Sequence, residues 1–269
     1  MHPEILHIGS LALRSYGLTL AISFFVGLWY VIKRSQREHV NVNFMMNFAF
    51  VVIFAGLIGA RLAFVLFHLR DFASDPLSAV NPFGTGGHFG IMGMNLYGGV
   101  LLAIISGYIY VRRKKQSLWH VFDIFAPTVA LGIGITRIGC FLNGCCFGVP
   151  TDLPWCIHFP EGSIPYSQFG DACLHPTQLY SSLYGFLLFV ALHYFDKRKT
   201  FYGSTFAVLL MVEAFFRFVI EYVRYYEPEM IIHFGGVSFT YNHLIAVGLF
   251  ALGLALWVTL RKRPEFRIR

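Results

Sequence analysis

Residues 44–68 read FMMNFAFVVIFAGLIGARLAFVLFH, an apolar run broken by one charge, Arg61. Crossing a hydrocarbon core of roughly 30 Å takes about 20 such residues in a helix, so this run is long enough to span. Working outward along the chain, similar runs fall at about 11–32, 91–111, 121–142, 177–195, 203–223 and 240–260. The bulk composition agrees, with 56% hydrophobic and 13% charged residues and a positive mean hydropathy, well outside the range of a soluble domain. The reading is an all-α, polytopic integral membrane protein with about seven transmembrane helices. The third and fourth runs are rich in glycine (Gly90, Gly93, Gly98 and Gly99; Gly132, Gly134 and Gly139), so either is a candidate for a broken or re-entrant segment.

Charge then sets the orientation, because short loops rich in Lys and Arg stay on the cytoplasmic side. Lys33, Arg34 and Arg37, then Arg112 to Lys115, then Lys197 to Lys199, and five basic residues beyond Leu260 follow alternate spans, fifteen of the 21 basic residues in all. The segment 143–176 has no Lys or Arg. The expected topology places the N-terminus outside and the C-terminus in the cytoplasm, with an outward loop at about 143–176. The net charge of +7 is thereby a signature of topology and of attraction to anionic lipid headgroups. Nothing in it points to nucleic acid. The N-terminal ten residues lack a basic leader, so the first span is expected to be retained. No linker or repeat divides the chain, which reads as one transmembrane domain, 1–269.

Six arginines are left over: Arg14, Arg61, Arg70, Arg137, Arg217 and Arg224. Charge within a span is expensive and by default marks a site, with snorkelling to the headgroups as the plainer account for Arg14 and Arg70. Glu213, Arg217, Glu221 and Arg224 are spaced four, four and three, which sets them on one helix face. Two internal acid–base pairs would explain that stripe structurally, but they leave Arg137 over. With Arg137 added the stripe carries excess positive charge, and guanidinium binds phosphate in a bidentate manner. A phospholipid headgroup is the natural anion. Tyr16, Tyr97, Asn143 and His175 add hydrogen-bonding and acid–base groups to the same layer, and His175 is placed where it would cap the fifth span.

All five cysteines, Cys140, Cys145, Cys146, Cys156 and Cys173, lie in the fourth span and the loop after it. An outward compartment permits disulfides, and an odd count leaves at least one thiol free. The spacing lacks paired C-x-x-C motifs, so loop-stapling disulfides are favoured over a metal site or a reactive thiol, and neither a metal nor a cofactor is assigned.

Taken in order, Tyr16-Gly17, Gly59-Ala60-Arg61, Tyr97-Gly98-Gly99, the signature Arg137 to Gly148, His175-Pro176-Thr177-Gln178-Leu179-Tyr180 and Arg217 to Arg224 resemble the prolipoprotein diacylglyceryl transferase family nearly end to end. The resemblance implies a multi-pass enzyme of the bacterial cytoplasmic (inner) membrane with its site toward the outer leaflet. Such an enzyme moves the diacylglyceryl group of phosphatidylglycerol to the lipobox cysteine of a prolipoprotein signal peptide and releases glycerol phosphate. It implies Arg137 and Arg217 as catalytic residues, with Tyr97 at a position where the family usually has a proposed catalytic histidine. Tyr16, Arg61, Asn143, Gly148, His175, Glu221 and Arg224 become substrate-binding candidates. Cys140 and Cys145 stand where many members carry asparagine and glutamate. A tyrosine is a poor base at neutral pH, so Tyr97 is expected to donate a hydrogen bond, with His175 and Glu221 as alternative proton acceptors. Two other readings stay open at this level: a related transferase with a different acceptor, and a non-enzymatic lipid-binding or metal-handling membrane protein.

Overall fold

The computed structural model describes residues 4–8, 11–72, 95–226, 231–234 and 237–268. Among the described residues, each apolar run overlaps a helix. These are α1 (Ser15–Arg37), α2 (Val42–Phe67), α4 (Leu96–Arg113), α5 (Leu118–Asn143), α7 (Thr177–Asp196), α8 (Ser204–Ile220) and α9 (Tyr241–Lys262), with short helices α3 (Leu69–Phe72) and α6 (Ile164–Phe169) between them. Four of them, α1, α2, α5 and α9, are long and apolar enough to cross a membrane. Large apolar side chains lie bare on the outside, among them Phe25 at 74% and Phe67 at 76% exposure. That pattern suits lipid as solvent, since contiguous exposed apolar surface of this kind is rare in water.

Two expectations need correction. Residues 11–14 do not begin the first helix: strand β2 (Leu11–Arg14) pairs with β1 (Glu4–Ile8), and α1 starts at Ser15. A short apolar run does not distinguish strand from helix by itself. The glycine-rich fourth span is not broken either, and α5 runs continuously through Gly132, Gly134 and Gly139. Gly90 and Gly93 of the third span lie outside the described residues.

The chain forms two compact units. In the unit made of Arg14–Gly27 and the chain from Phe122 onward, the α5 glycines are packing surfaces. A Cβ at Gly132 would meet the Ser23 hydroxyl of α1 at 3.2 Å, and one at Gly185 of α7 would meet the Gly134 backbone nitrogen at 2.5 Å. Ser182 donates to the Gly134 carbonyl at 2.8 Å. Small residues and interhelical hydrogen bonds of this kind hold helices together where lipid removes the hydrophobic drive between them. Between α5, α7 and α8 the core is Ala126, Ala130, Leu188, Leu192 and Leu209.

One end of this unit is tied by buried charge. Asp123, fully buried, accepts from the backbone nitrogens of Gly203 (2.8 Å) and Phe206 (3.0 Å), capping the start of α8. Lys199 bridges it at 3.6 Å to Asp196 at 3.1 Å. The C-terminal tail bridges Phe201 through Arg267 at the same end, after the 3₁₀ turn Pro264–Phe266.

In the second unit, α2 and α4 cross at Gly59 and Gly98, where a Cβ on either glycine would come within 2.6 Å of the other's carbonyl oxygen. Asn95 starts α4 by accepting from the Gly98 nitrogen at 3.3 Å, and its own nitrogen donates to the Ala60 carbonyl at 2.9 Å. The glycines beside Tyr97 thus serve close backbone approach.

Candidate active site

Arg137, Cys140 and Asn143 project from the last two turns of α5. The helix ends at Gly144 with φ 74°, and bonds from Gly144 N to Phe141 O (3.2 Å) and from Cys145 N to Cys140 O (3.1 Å) close a Schellman turn. Cys146 follows with φ 63°, an uncommon backbone state for a residue with a side chain. It is held there from α7. Thr177 donates to the Cys146 carbonyl at 2.6 Å and Gln178 to the Cys145 carbonyl at 2.9 Å.

Beyond the turn, three motifs far apart in the chain pair through their backbones. Gly148 N donates to His175 O (3.0 Å), His175 N to Val149 O (3.1 Å), Val149 N to Val223 O (3.0 Å) and Tyr225 N to Phe147 O (3.1 Å). Gly148 sits at the crossing, where a Cβ would stand 2.5 Å from both His175 Cβ and Val223 O. His175 does not cap α7, whose N-cap is Pro176 without a side-chain bond. Its Nδ1 instead lies 3.3 Å from the Tyr180 hydroxyl, which also accepts from Trp155 at 2.8 Å. A small core of Phe147, Phe159 and Leu174 backs this layer, and a disulfide joins Cys156 to Cys173 across it.

The charged groups converge on the same end. Arg217 Nε meets Glu221 Oε1 at 3.1 Å, and Arg224 lies 3.9 Å from the same oxygen. Glu221, 4% exposed, also accepts from Tyr226 (2.8 Å), Thr240 (3.1 Å) and Asn242 (3.3 Å). Both its oxygens are engaged, so it orients Arg217 and Arg224. Thr240 reaches it from the end of the hairpin β3 (Ile231–Phe234) and β4 (Val237–Thr240), at the start of α9. Burial, together with the hydrogen bond to Glu221, pushes the Tyr226 phenol up to about 12. Glu213 has Tyr184, Arg217 and Arg137 as electrostatic neighbours. Among the described residues, three guanidiniums, of Arg137, Arg217 and Arg224, therefore face two carboxylates, and Arg224 Nε is buried without an acceptor.

Arg137 contacts the Cys146 thiol and lies near Cys140. Hydrogen bonds from Cys140 and Cys145 hold the Cys146 thiol well below the ordinary thiol range, with Arg224 and Arg137 acting in the same direction. Tyr16 joins this group from α1, with Cys140, Cys145 and Arg137 as electrostatic neighbours. Gly139 lets it approach, since a Cβ there would stand 3.3 Å from Tyr16 Cα.

Tyr16, Arg137, Asn143, Gly148, His175, Arg217, Glu221 and Arg224 thus gather in one unit. Arg61 and Tyr97 belong to the other. Arg61 lies over the rings of Phe64 and Phe72, at 5.7 and 5.4 Å. The Tyr97 backbone is in the first turn of α4, and its side chain lies outside the described residues, as does that of Arg70. Arg14 is exposed, as snorkelling requires. Sequence reasoning missed the donors to Glu221, the Thr177 and Gln178 clamp and the Asp123 cluster. The adjacent Thr177-Gln178 after His175-Pro176 was the available signal for the clamp.

The model of the prolipoprotein diacylglyceryl transferase family matches residues 3–259. The chain belongs to that family. Relatives named phosphatidylglycerol–prolipoprotein diacylglyceryl transferase include one from Nitratidesulfovibrio vulgaris, 33% identical over 97% of this chain and 94% of its own length. One from Vibrio cholerae is 32% identical over 99% and 94%, and one from Clostridium tetani 30% identical over 83% and 86%. The stretches 137–148, 175–180 and 217–224, on which the resemblance was read, are those the backbone pairs and clamps bring together.

Proposed function

We infer that this chain transfers the diacylglyceryl group of phosphatidylglycerol to the lipobox cysteine of prolipoproteins, and that Arg137 and Arg217 hold the phosphate. The observation that carries the reading is the buried Arg224 Nε without an acceptor among the described residues, beside Arg217 at the end of α8 and in the same unit as Arg137, in a chain of this family. In the reaction the acceptor sulfur attacks the glyceryl carbon, the carbon–oxygen bond breaks, and glycerol phosphate leaves with the electron pair. No enzyme nucleophile is needed. The protein has to stabilise negative charge growing on the phosphate in a poorly solvated place, which fixed donors do well. Glu221, held by Tyr226, Thr240 and Asn242, keeps the Arg217 and Arg224 guanidiniums aimed. The acceptor thiol loses its proton to a neighbouring base or in the positive field. His175, with one ring nitrogen at Tyr180, is the better-placed base because both oxygens of Glu221 are engaged. Tyr97 is assigned as a hydrogen-bond donor to the phosphate or leaving oxygen, and Arg61 and Tyr16 as lipid-binding groups.

The topology proposed with this is seven crossings of the bacterial cytoplasmic membrane, with both units making one membrane domain. The basic ends of α1, α4, α7 and α9 face the cytoplasm, and the Arg137 end faces the outer leaflet. The test is reconstitution with phosphatidylglycerol and a lipobox peptide, following glycerol phosphate and peptide mass together. Equal appearance of both supports the transfer. Glycerol phosphate without peptide mass gain means hydrolysis, and neither product from folded protein removes the reading. In the same assay Tyr97→Phe separates the hydroxyl from the ring: unchanged transfer makes Tyr97 a packing residue.

A further inference from the structure

Three of the five cysteines remain free, and the disulfide between Cys156 and Cys173 removes the other two from competition. The sulfurs of Cys140, Cys145 and Cys146 all lie within 4.8 Å of one another. A trigonal ion with metal–sulfur bonds of about 2.3 Å needs sulfurs about 4 Å apart, so small side-chain rotations close this triangle on an ion.

The triangle is held from the backbone. The Schellman turn fixes Cys145 against Cys140 through the bond from Cys145 N to Cys140 O, at 3.1 Å. Cys146 adopts φ 63°, and the carbonyls of Cys145 and Cys146 are clamped by Gln178 and Thr177, which are 1% and 2% exposed. Rigid supports of this kind let ligands be positioned before an ion arrives.

We propose that Cys140, Cys145 and Cys146 form a three-sulfur site for a monovalent soft metal ion, Cu(I). Three features select that ion. Thiolates favour soft d10 ions. Among the described residues no histidine or carboxylate joins the three sulfurs, whereas zinc in structural sites takes four ligands. Charge agrees as well, because three thiolates around a monovalent ion leave two negative charges, and Arg137 and Arg224 are the guanidiniums acting on Cys146. The site shares Arg137 and Arg224 with the transfer reading, and copper binding is read without any transfer assay, so the two can fail separately.

The test uses the full chain in detergent with the three thiols reduced and the Cys156–Cys173 disulfide intact. Copper(I) is added anaerobically against a coloured Cu(I) chelator. One ion per chain withdrawn from the chelator, with three sulfur neighbours in X-ray absorption, is the expected result. Cys145→Ala and Cys146→Ala should each leave the copper on the chelator. Because a folding defect in a variant would mimic loss of the site, the wild-type protein supplies a second readout: copper should protect Cys140, Cys145 and Cys146 together from alkylation, mapped by mass spectrometry. Copper that stays on the chelator with wild-type protein, or is bound without protecting these three thiols, overturns the proposal. So does one-to-one zinc binding through a fourth ligand in place of copper.

Discussion

The two ends of the α5 unit both bury charge, and they bury it differently. At the Asp123 end, the carboxylate is saturated by two backbone nitrogens and Lys199, and Asp196 is shared between Lys199 and the Thr205 hydroxyl. These bonds stay within the protein and join the end of α7 to the start of α8. At the Arg137 end, among the described residues, three guanidiniums face two carboxylates and a buried Arg224 nitrogen has no acceptor. Burial of charge is common to both ends. What separates the two ends is that the Asp123 carboxylate finds its partners inside the protein, whereas a buried Arg224 donor finds none among the described residues.

The comparison can be broken from either side. Removing one partner of a buried, bonded charge set costs about 3–5 kcal/mol, so Asp123→Ala should lower thermal stability by that order and reduce transfer only as the protein unfolds. If Asp123→Ala melts normally yet fails to transfer, the knot is not merely structural. A smaller effect is expected at Gly148, where a side chain would overlap His175 Cβ and Val223 O. Overpacking typically costs about 1–3 kcal/mol, so Gly148→Ala should soften the melt and separate Arg224 from the signature turn. Wild-type stability and transfer in that variant would mean the three-motif pairing does not position Arg224.

The smallest effect is a pH dependence. Tyr226 titrates at about 12 in the folded chain, above the ordinary value near 10. A raised phenol favours the folded state while it stays protonated. The stability it contributes is therefore complete below about pH 10 and is lost as the pH rises through about 12. Denaturation between those values should flatten in Tyr226→Phe, and an unchanged slope would detach the phenol from Glu221.

Much of this was legible in the sequence because hydropathy is local. Each apolar run overlaps a helix among the described residues, and the spacing of Glu213, Arg217, Glu221 and Arg224 put them on one side of α8 and its C-terminal turn. The errors came where tertiary packing overrides composition. Glycines in α5 suggest a break, yet Ser23, Ser182 and Gly185 use them for close approach, and helix continuity follows. Leu11 to Leu13 read as the start of a span but pair with β1. The Glu221 network was hidden because Thr240 and Asn242 are 19 and 21 residues away and arrive through a hairpin. The thiol triangle was hidden for another reason: Cys140 and Cys145 are five residues apart, a spacing that sets side chains on different faces of a continuous helix, and here the Schellman turn ends the helix between them.

The measurement that bears most directly on the central claim is the transfer rate of Arg137→Lys beside wild type, in liposomes of phosphatidylglycerol with a lipobox peptide and with the melting temperature of each checked. Lysine keeps the positive charge and loses the planar fork. The expected result is a fall of about 10²–10³ in rate, the usual effect of removing one fixed transition-state donor, with the melt unchanged. Near-wild-type transfer by a folded Arg137→Lys protein would contradict it.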